Sequence, residues 1–447
     1  MKTTKFFFMA ALALTTAACS NDDNDLTQQP AKAEGIPFTA TISLDQSATT
    51  RALTENGTTI EATWATDEKV ALIHNGVKDE MTVSAVNAGV ATITGTITGS
   101  PSGGDAVTII YPSDAADGTT GNVKSDWLSS QDGTLEGTSG TSIEEKYDVR
   151  KGSGALNASG TSLDGTVSLT NQNAIFKLTL KDIDGTNDVS ATSVVISDQT
   201  GVVTTVTPAS GYENAMYVAL PTTATTLKFL VTGSDSKKYF NMASSLSLGA
   251  SYYQSTVKLA TVGDVILTTG KCAKAGTSGA VAKIAYLGND AETSTANIAF
   301  KNGLALALED VSGTQTWCSQ TSATCLGTQY NNSTMFNDLA GIDNTDALVN
   351  HTDHAHAAAS AARDYNSGTH PAGTSAWFLP SAGQWDKMMG STGLGRSNLG
   401  LQEMENTRYW SSTERNAKNA WYFRSDNGDW GNYAKDNVYQ VRACLAF

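Results

Sequence analysis

The sequence predicts a mainly β protein, with two tandem β-sandwich domains followed by a mixed α+β domain. Three observations carry that prediction. Val, Ile, Thr and aromatic residues fall in short runs where apolar and polar positions alternate, as a strand buried on one face requires. Those runs recur at a spacing of roughly ten residues, broken by Gly, Asn, Asp and Ser, the residues that make turns. Beyond Val262 the character changes: six of the eight tryptophans and four of the five cysteines lie there, together with helical stretches.

The N-terminus comes first. Lys2 and Lys5 precede an apolar run from Phe6 to Leu14, too short to span a bilayer but long enough for the hydrophobic region of a signal peptide. The small residues Thr16-Ala17-Ala18 then lead into Cys19, which fits a bacterial lipobox. Residues 1–18 are therefore read as a lipoprotein signal peptide and Cys19 as the lipidation site, holding the chain to a membrane through its lipid. Residues 19–35, with Ser20-Asn21-Asp22-Asp23-Asn24-Asp25, read as an acidic tether of the kind that accompanies export to the outer membrane and cell surface. Only 16% of residues are charged and the net charge is −15, so no basic surface is available to replace the counterions of a nucleic acid.

The first strand is Ile36–Leu44, with Phe38, Ala40, Ile42 and Leu44 on one face. A polar stretch follows, and in it Arg51 is the only basic residue between Ala33 and Glu68. Strand patterns resume at Thr59–Trp64 and Lys69–Ile73, then at Ala91–Ile97, Ala106–Tyr111 and Gly165–Thr170, which fills a domain over 36–170. A second domain over 171–261 has strands at Ala174–Leu180, Ser193–Ile196, Met216–Leu220, Thr226–Val231 and Ser251–Leu259.

In this half the chain resembles the fimbrillins, the type V pilins. The lipobox, the alternating first strand, the isolated arginine in T-T-R-A-L and then W-A-T-D-E-K-V-A-L carry the likeness, with M-Y-V-A-L-P-T-T-A-T-T-L-K-F-L and L-G-A-S-Y-Y-Q-S-T-V-K-L further on. The resemblance implies two pilin β-sandwiches, export as a lipoprotein, and maturation by an arginine-specific protease between Arg51 and Ala52. In that reading 45–52 is the cleavage loop, and the strand bearing Phe38, Ala40, Ile42 and Leu44 is displaced. Its groove would then be refilled by a strand from another fimbrial subunit.

The third domain, 262–447, opens with Gly263–Leu267. Asp343 to Tyr365 is Ala-rich and free of Gly and Pro, and reads as one helix capped by Asp343, Asn344 or Thr345. A second helix is expected from Ser381 to Met389, and the tail returns to strands at Arg408–Ser412, Ala420–Phe423 and Val438–Phe447. W-F-L-P-S-A-G-Q-W, Y-W-S-S-T-E, A-W-Y-F and V-Y-Q-V-R-A-C-L-A-F resemble exported C-type-lectin-like domains, related in fold to formylglycine-generating enzymes. That resemblance implies paired terminal strands. It does not bring the enzyme's chemistry, since the paired cysteines of that activity sit late in the domain and only Cys444 does so here.

With Cys19 modified, Cys272, Cys318, Cys325 and Cys444 remain, and an oxidising compartment predicts two disulfides among three connectivities. Cys318 and Cys325 are close enough in sequence for a local loop, which leaves Cys272 with Cys444, a pairing natural to terminal strands that meet. A zinc site is the rival reading, weakened by the lack of a Cys-x-x-Cys pair. His351, His354 and His356 are expected on a solvated helix face, with no metal and no cofactor assigned. The segment Arg424–Tyr433 offers Asp426, Asn427, Asp429 and Asn432 as oxygen donors and Trp430 and Tyr433 as stacking faces, suited to a glycan or protein ligand or to Ca²⁺. No nucleophile elbow, phosphate loop or His-Glu-x-x-His is present, so no enzymatic activity is expected. The expected role is a fimbrial tip subunit with an adhesive last domain. The alternative is a surface lipoprotein that binds ligands without polymerising.

Overall fold

The computed structural model describes residues 35–44, 54–56, 59–61, 63–137, 140–293, 300–320, 322–401 and 407–447. Cys19, the tether, Arg51 and Ala52 lie outside them. The chain is mainly β, as its alternation predicts.

The first domain contains β1 (Ile36–Leu44), β2 (Thr54–Asn56), β3 (Thr59–Glu61), β4 (Lys69–His74), β5 (Val77–Asn87), β6 (Val90–Ile97), β7 (Ala106–Tyr111), β8 (Ser130–Gln131), β9 (Arg150–Ala155) and β10 (Val167–Asn171). Seven of these, in the order β1-β10-β9-β7-β4-β5-β6, form one closed barrel, while β2 and β3 make a separate hairpin. The barrel interior is filled by Phe38, Ile42, Trp64, Leu72, Met81, Ile93, Ile109 and Leu169. Two glycines let neighbouring strands approach: a Cβ on Gly95 would stand 2.5 Å from the Met81 sulfur, and one on Gly152 would stand 2.5 Å from the Ser168 carbonyl.

The connection between β7 and β9 leaves the barrel and forms the seam with the second domain. β8 pairs in parallel with β13 (Gly201–Val206). Beside it Gln131 donates to the Ala219 carbonyl and accepts from the Ala219 amide, both at 2.8 Å. Leu135, Ile143 and Tyr147 pack there against Ile175 and Tyr217.

The second domain adds β11 (Asn173–Asp182), β12 (Ala191–Asp198), β14 (Ala215–Pro221), β15 (Thr226–Gly233), β16 (Lys238–Ser244) and β17 (Tyr252–Thr261). Its sheet runs β14-β11-β17-β16-β15-β12-β13-β8, around a core of Phe176, Leu178, Val194, Val218, Phe229 and Leu259. Strands β11 and β17 are parallel over eight register pairs.

The third domain comprises β18 (Val265–Leu267), β19 (Cys272–Ala273), β20 (Ala280–Leu287), β21 (Gly303–Ala307), β22 (Gln315–Thr316), α1 (Gly341–Val349), α2 (Ala357–Arg363), α3 (Ala382–Met389), β23 (Arg408–Glu414), β24 (Asn419–Arg424), β25 (Trp430–Ala434), β26 (Val438–Tyr439) and β27 (Cys444–Ala446). A five-stranded sheet, β19-β18-β20-β21-β27, stands with a three-stranded sheet, β23-β24-β25, and a two-stranded one, β22-β26. Its core is continuous with the second domain: Leu230, Phe240 and Met242 share one cluster with Ile266, Trp317 and Phe447, and the Phe240 and Phe447 rings are 4.6 Å apart.

Several expectations are corrected. The single helix from Asp343 to Tyr365 is two helices, broken between Asn350 and His356, and the first begins at Gly341, ahead of the expected caps. The break turns His356 inward, where its ring meets Trp317 edge-on at 5.6 Å. His351 and His354 therefore sit in the break rather than on a helix face, with rings stacked at 5.1 Å. The expected strand Val438–Phe447 is divided into β26 and β27, because Arg442 turns to Asp310 between them. Strands β2, β5, β8, β9, β13, β16, β19, β20, β21, β22 and β25 had no counterpart among the expected strands. By contrast α3 starts where predicted, with Ser381 and Gln384 forming a reciprocal capping box.

The disulfide expectation is overturned as well. Cys272, Cys318, Cys325 and Cys444 are all free. Cys272 on β19 and Cys444 on β27 occupy opposite edges of the five-stranded sheet. Four strand spacings separate them, about 19 Å at about 4.8 Å each, far beyond the roughly 7 Å a disulfide spans. The terminal strands β18 and β27 do not pair, because β20 and β21 lie between them.

Candidate functional site

β1 is the strand that closes the barrel. It runs antiparallel to β6 over eight register pairs, Ile36 with Ile97 through Ser43 with Val90, and parallel to β10 over three, Ile42–Leu44 with Val167–Leu169. Phe38 is 2% exposed, Ala40 4% and Ile42 0%, and Leu44 is partly buried at the end of the same row. The predicted inward face is therefore the observed one. Phe38 stands opposite Gly95, the position whose missing Cβ leaves space for the Met81 sulfur. Its sequence signal was complete, since the strand alternates without interruption.

The hairpin that follows the Arg51 segment is fastened to the second domain through Glu55. Its carboxylate accepts from Lys177 Nζ and Tyr217 Oη at 2.6 Å, from Tyr252 Oη at 2.8 Å and from Gln254 Nε2 at 3.0 Å. The Lys177 ammonium, with help from Tyr217, pulls the Glu55 carboxyl down to about 2. Burial, and then the Glu55 charge, push the Tyr217 and Tyr252 phenols up. The contributing residues come from β2, β11, β14 and β17, so no sequence motif marks the site.

In the third domain the candidate ligand segment runs from the end of β24 through the turn into β25, which carries Trp430, Asn432 and Tyr433. Asp426 is gripped by Arg424, at 2.6 Å from Nη2 and 3.1 Å from Nε. Asn427 donates to Asp429 at 2.8 Å and accepts from its amide at 2.9 Å, while Asn432 accepts from Asn419 at 3.0 Å. Trp430 packs against Phe336 and Phe423, and Tyr433 is 52% exposed. The polar groups are largely occupied with one another, and Tyr433 is the free aromatic face of the set. A cleft of about 880 Å³ also lies where the second and third domains meet, between Val195 and Lys237 on one side and Asp290 and Leu394 on the other. It belongs to neither domain alone.

The motif Tyr409–Glu414 is wholly buried, every residue at 0% exposure, and it builds a polar network rather than a surface. Tyr409 donates to Asp310, Thr413 to Asp338 and Ser411 to the Trp421 carbonyl. Glu414 accepts from the amides of Cys325 and Leu326, both at 2.9 Å, and pairs with the buried Lys435. These bonds fix the loop that carries Cys325. The Cys318 and Cys325 sulfurs stand 3.8 Å apart, and burial pushes the Cys325 thiol up to about 12 despite the pull of Lys435. Burial likewise raises Cys272 to about 12 and Cys444 well above the ordinary thiol value. Desolvation lowers His356 to about 4, so its imidazole is neutral at physiological pH.

No family model matches the chain, and no curated protein matches it. Among solved structures, a fimbrial protein from Bacteroides ovatus is 15% identical, with a TM-score of 0.34 over 93% of this chain and 99% of that one. A fimbrial assembly protein from Parabacteroides distasonis is 12% identical, with a TM-score of 0.28 over 50% of this chain and 90% of that one. A fimbrilin from Porphyromonas gingivalis is 13% identical, with a TM-score of 0.22 over 60% of this chain and 85% of that one.

Proposed function

We propose that this chain is a structural and adhesive subunit of a surface fimbria, exported as an outer-membrane lipoprotein and assembled by strand exchange. The observation that carries the reading is the position of β1. It is both the strand that closes the barrel and the strand immediately ahead of the Arg51 segment. Cleavage between Arg51 and Ala52 by an arginine-specific protease would leave β1 held by noncovalent contacts alone. Its departure, with Cys19 and the lipid, would bare the β6 and β10 edges and an apolar groove lined by Met81, Ile93 and Leu169.

Such a groove does not stay open in water. Phe38 and Ile42 each contribute about 1.5–3 kcal/mol by burial, so their loss has to be offset by a strand of similar pattern from another fimbrial subunit. The Glu55 clamp supports the same order of events, since it keeps the new N-terminal segment docked once β1 has gone. At the other end, β27 is fully buried and paired with β21, which commits residues 444–446 to their own sheet. With β27 kept in its own sheet and therefore not exchanged, this reading puts the subunit at the tip of a fibre. There the third domain is outermost and meets a glycan or protein ligand.

The test incubates the purified precursor with an arginine-specific protease and a stalk subunit. The expected product begins at Ala52, has lost residues 19–51, and co-assembles at one end of the fibre. A mature N-terminus that stays at Cys19, or labelling all along the fibre, sinks the proposal. The first outcome leaves a non-polymerising surface lipoprotein.

A further inference from the structure

From the side chains gathered behind the Tyr409–Glu414 strand we infer a metal site: Cys318, Cys325 and His356 bind one thiophilic d¹⁰ cation, with Zn²⁺ the best fit. Each residue offers one donor atom, and the three atoms lie within 4.8 Å of one another, the only such group of three among the described residues. They come from separate parts of the chain, each independently fixed. Cys318 follows Trp317, whose amide donates to the Lys435 carbonyl at 2.9 Å, as does the Cys318 amide at 3.1 Å. Cys325 is held by the hydrogen bond that its backbone amide donates to Glu414. His356 enters from the break between α1 and α2.

The donor geometry matches the ion. Two thiolates on a tetrahedral zinc, with bonds of about 2.3 Å, stand about 3.8 Å apart. The Cys318 and Cys325 sulfurs are 3.8 Å apart. A disulfide needs about 2.05 Å and has no use for an imidazole. His356 supplies the second line of evidence. It is 2% exposed, its Nδ1 faces the Trp317 carbonyl at 3.2 Å, and its Nε2 is buried without a hydrogen-bond partner. The bond at Nδ1 places the proton there and leaves the lone pair on Nε2, as a metal-bound histidine requires. A buried acceptor without a partner is unfavourable, and metal coordination would satisfy it.

Charge favours a divalent ion. Binding forms two metal–sulfur bonds and one metal–nitrogen bond and releases two thiol protons to solvent, with no change of oxidation state. Zn²⁺ with two thiolates is neutral, which leaves the adjoining Glu414–Lys435 pair balanced. Lys435 Nζ, 3.7 Å from the Cys325 sulfur, then donates to a thiolate instead of repelling a net cation. The fourth position falls to water on the Cys325 side, the least buried of the three at 9% exposure.

The experiment uses the full chain, reduced and stripped with a chelator, titrated anaerobically with Co²⁺ and then Zn²⁺. One equivalent of Co²⁺ should produce sulfur-to-cobalt charge transfer in the near ultraviolet and intense tetrahedral d–d bands, which Zn²⁺ displaces. Cys318→Ser, Cys325→Ser and His356→Ala should each weaken binding by roughly 100-fold or more, and His354→Ala should leave it unchanged. If a variant fails to fold, the wild-type cobalt spectrum still decides. Octahedral cobalt without charge transfer overturns the proposal. So does metal uptake that ignores both cysteine substitutions, or a Cys318–Cys325 disulfide that takes up no metal after reduction.

Discussion

Glu55 and Lys177, 122 residues apart in sequence, meet at 2.6 Å and join the hairpin behind the Arg51 segment to the second domain. That bond gives the hairpin a hold on the second domain that does not involve β1.

Replacing Glu55 with Ala should therefore loosen the hairpin without unfolding the barrel. The pair is partly exposed, so the expected cost is on the order of 1 kcal/mol. It is read as a lower urea midpoint at unchanged m. Limited proteolysis should quicken within residues 54–61, and unchanged cleavage there would refute the clamp.

The same carboxylate sets a pH dependence. Its folded value is about 2 against an ordinary 4.5, so the stability it adds is present above about pH 4.5 and is lost as pH falls towards 2. Urea midpoints at pH 6 and pH 3 should fall more for the wild type than for Glu55→Gln. Parallel losses would assign the acid sensitivity to other groups.

Within β1 the two faces should answer differently. Ile42→Ala removes a fully buried side chain from the barrel and should cost about 2–5 kcal/mol, whereas Thr39→Ala on the exposed face should stay within about 0.5 kcal/mol. Thermal or urea unfolding of the uncleaved precursor distinguishes them. Equal effects would mean that β1 does not fill the barrel.

The Glu414–Lys435 pair should be far costlier to break than to delete. Lys435→Met alone strands a buried carboxylate and should lose about 3–5 kcal/mol. Combining it with Glu414→Gln should recover part of that loss in a double-mutant cycle. Strictly additive losses would show that the two charges do not depend on each other.

On β25, Tyr433→Ala should leave stability within about 0.5 kcal/mol, because the ring is exposed. Trp430→Ala should cost about 2 kcal/mol or more through lost packing on Phe336 and Phe423. A glycan and protein array with the full chain then tells function from packing. Binding that survives Tyr433→Ala removes this face from the ligand site.

What the sequence disclosed follows from how local each cause is. β1 was legible because its alternation is uninterrupted, and α3 because Ser381 and Gln384 cap it within one turn. β5 was hidden because a core-facing position is Asp79, a buried carboxylate that accepts from the Thr98 amide and hydroxyl and lies beside His74, so the apolar rhythm breaks. The break before α2 is tertiary: nothing near His356 in sequence announces Trp317. The same distance concealed the Cys318, Cys325 and His356 group, for which the sequence offered two cysteines without metal-site spacing and histidines on a supposed outer face. Pairing Cys272 with Cys444 failed because chain order is not sheet order. The segment Arg424–Tyr433, expected to lie between strands, instead carries most of β25, and neither that strand nor its internal hydrogen bonds could be read from composition.

The unequal pairing of β1 has a mechanical side. A replacement strand in the same register would meet β6 along eight residues lying lengthwise to the strand. Tension applied along that strand would load those bonds together, in shear, instead of peeling them one after another. A joint of this kind resists pulling far better than prising, and a fibre built from such joints would fail first by bending at a subunit edge.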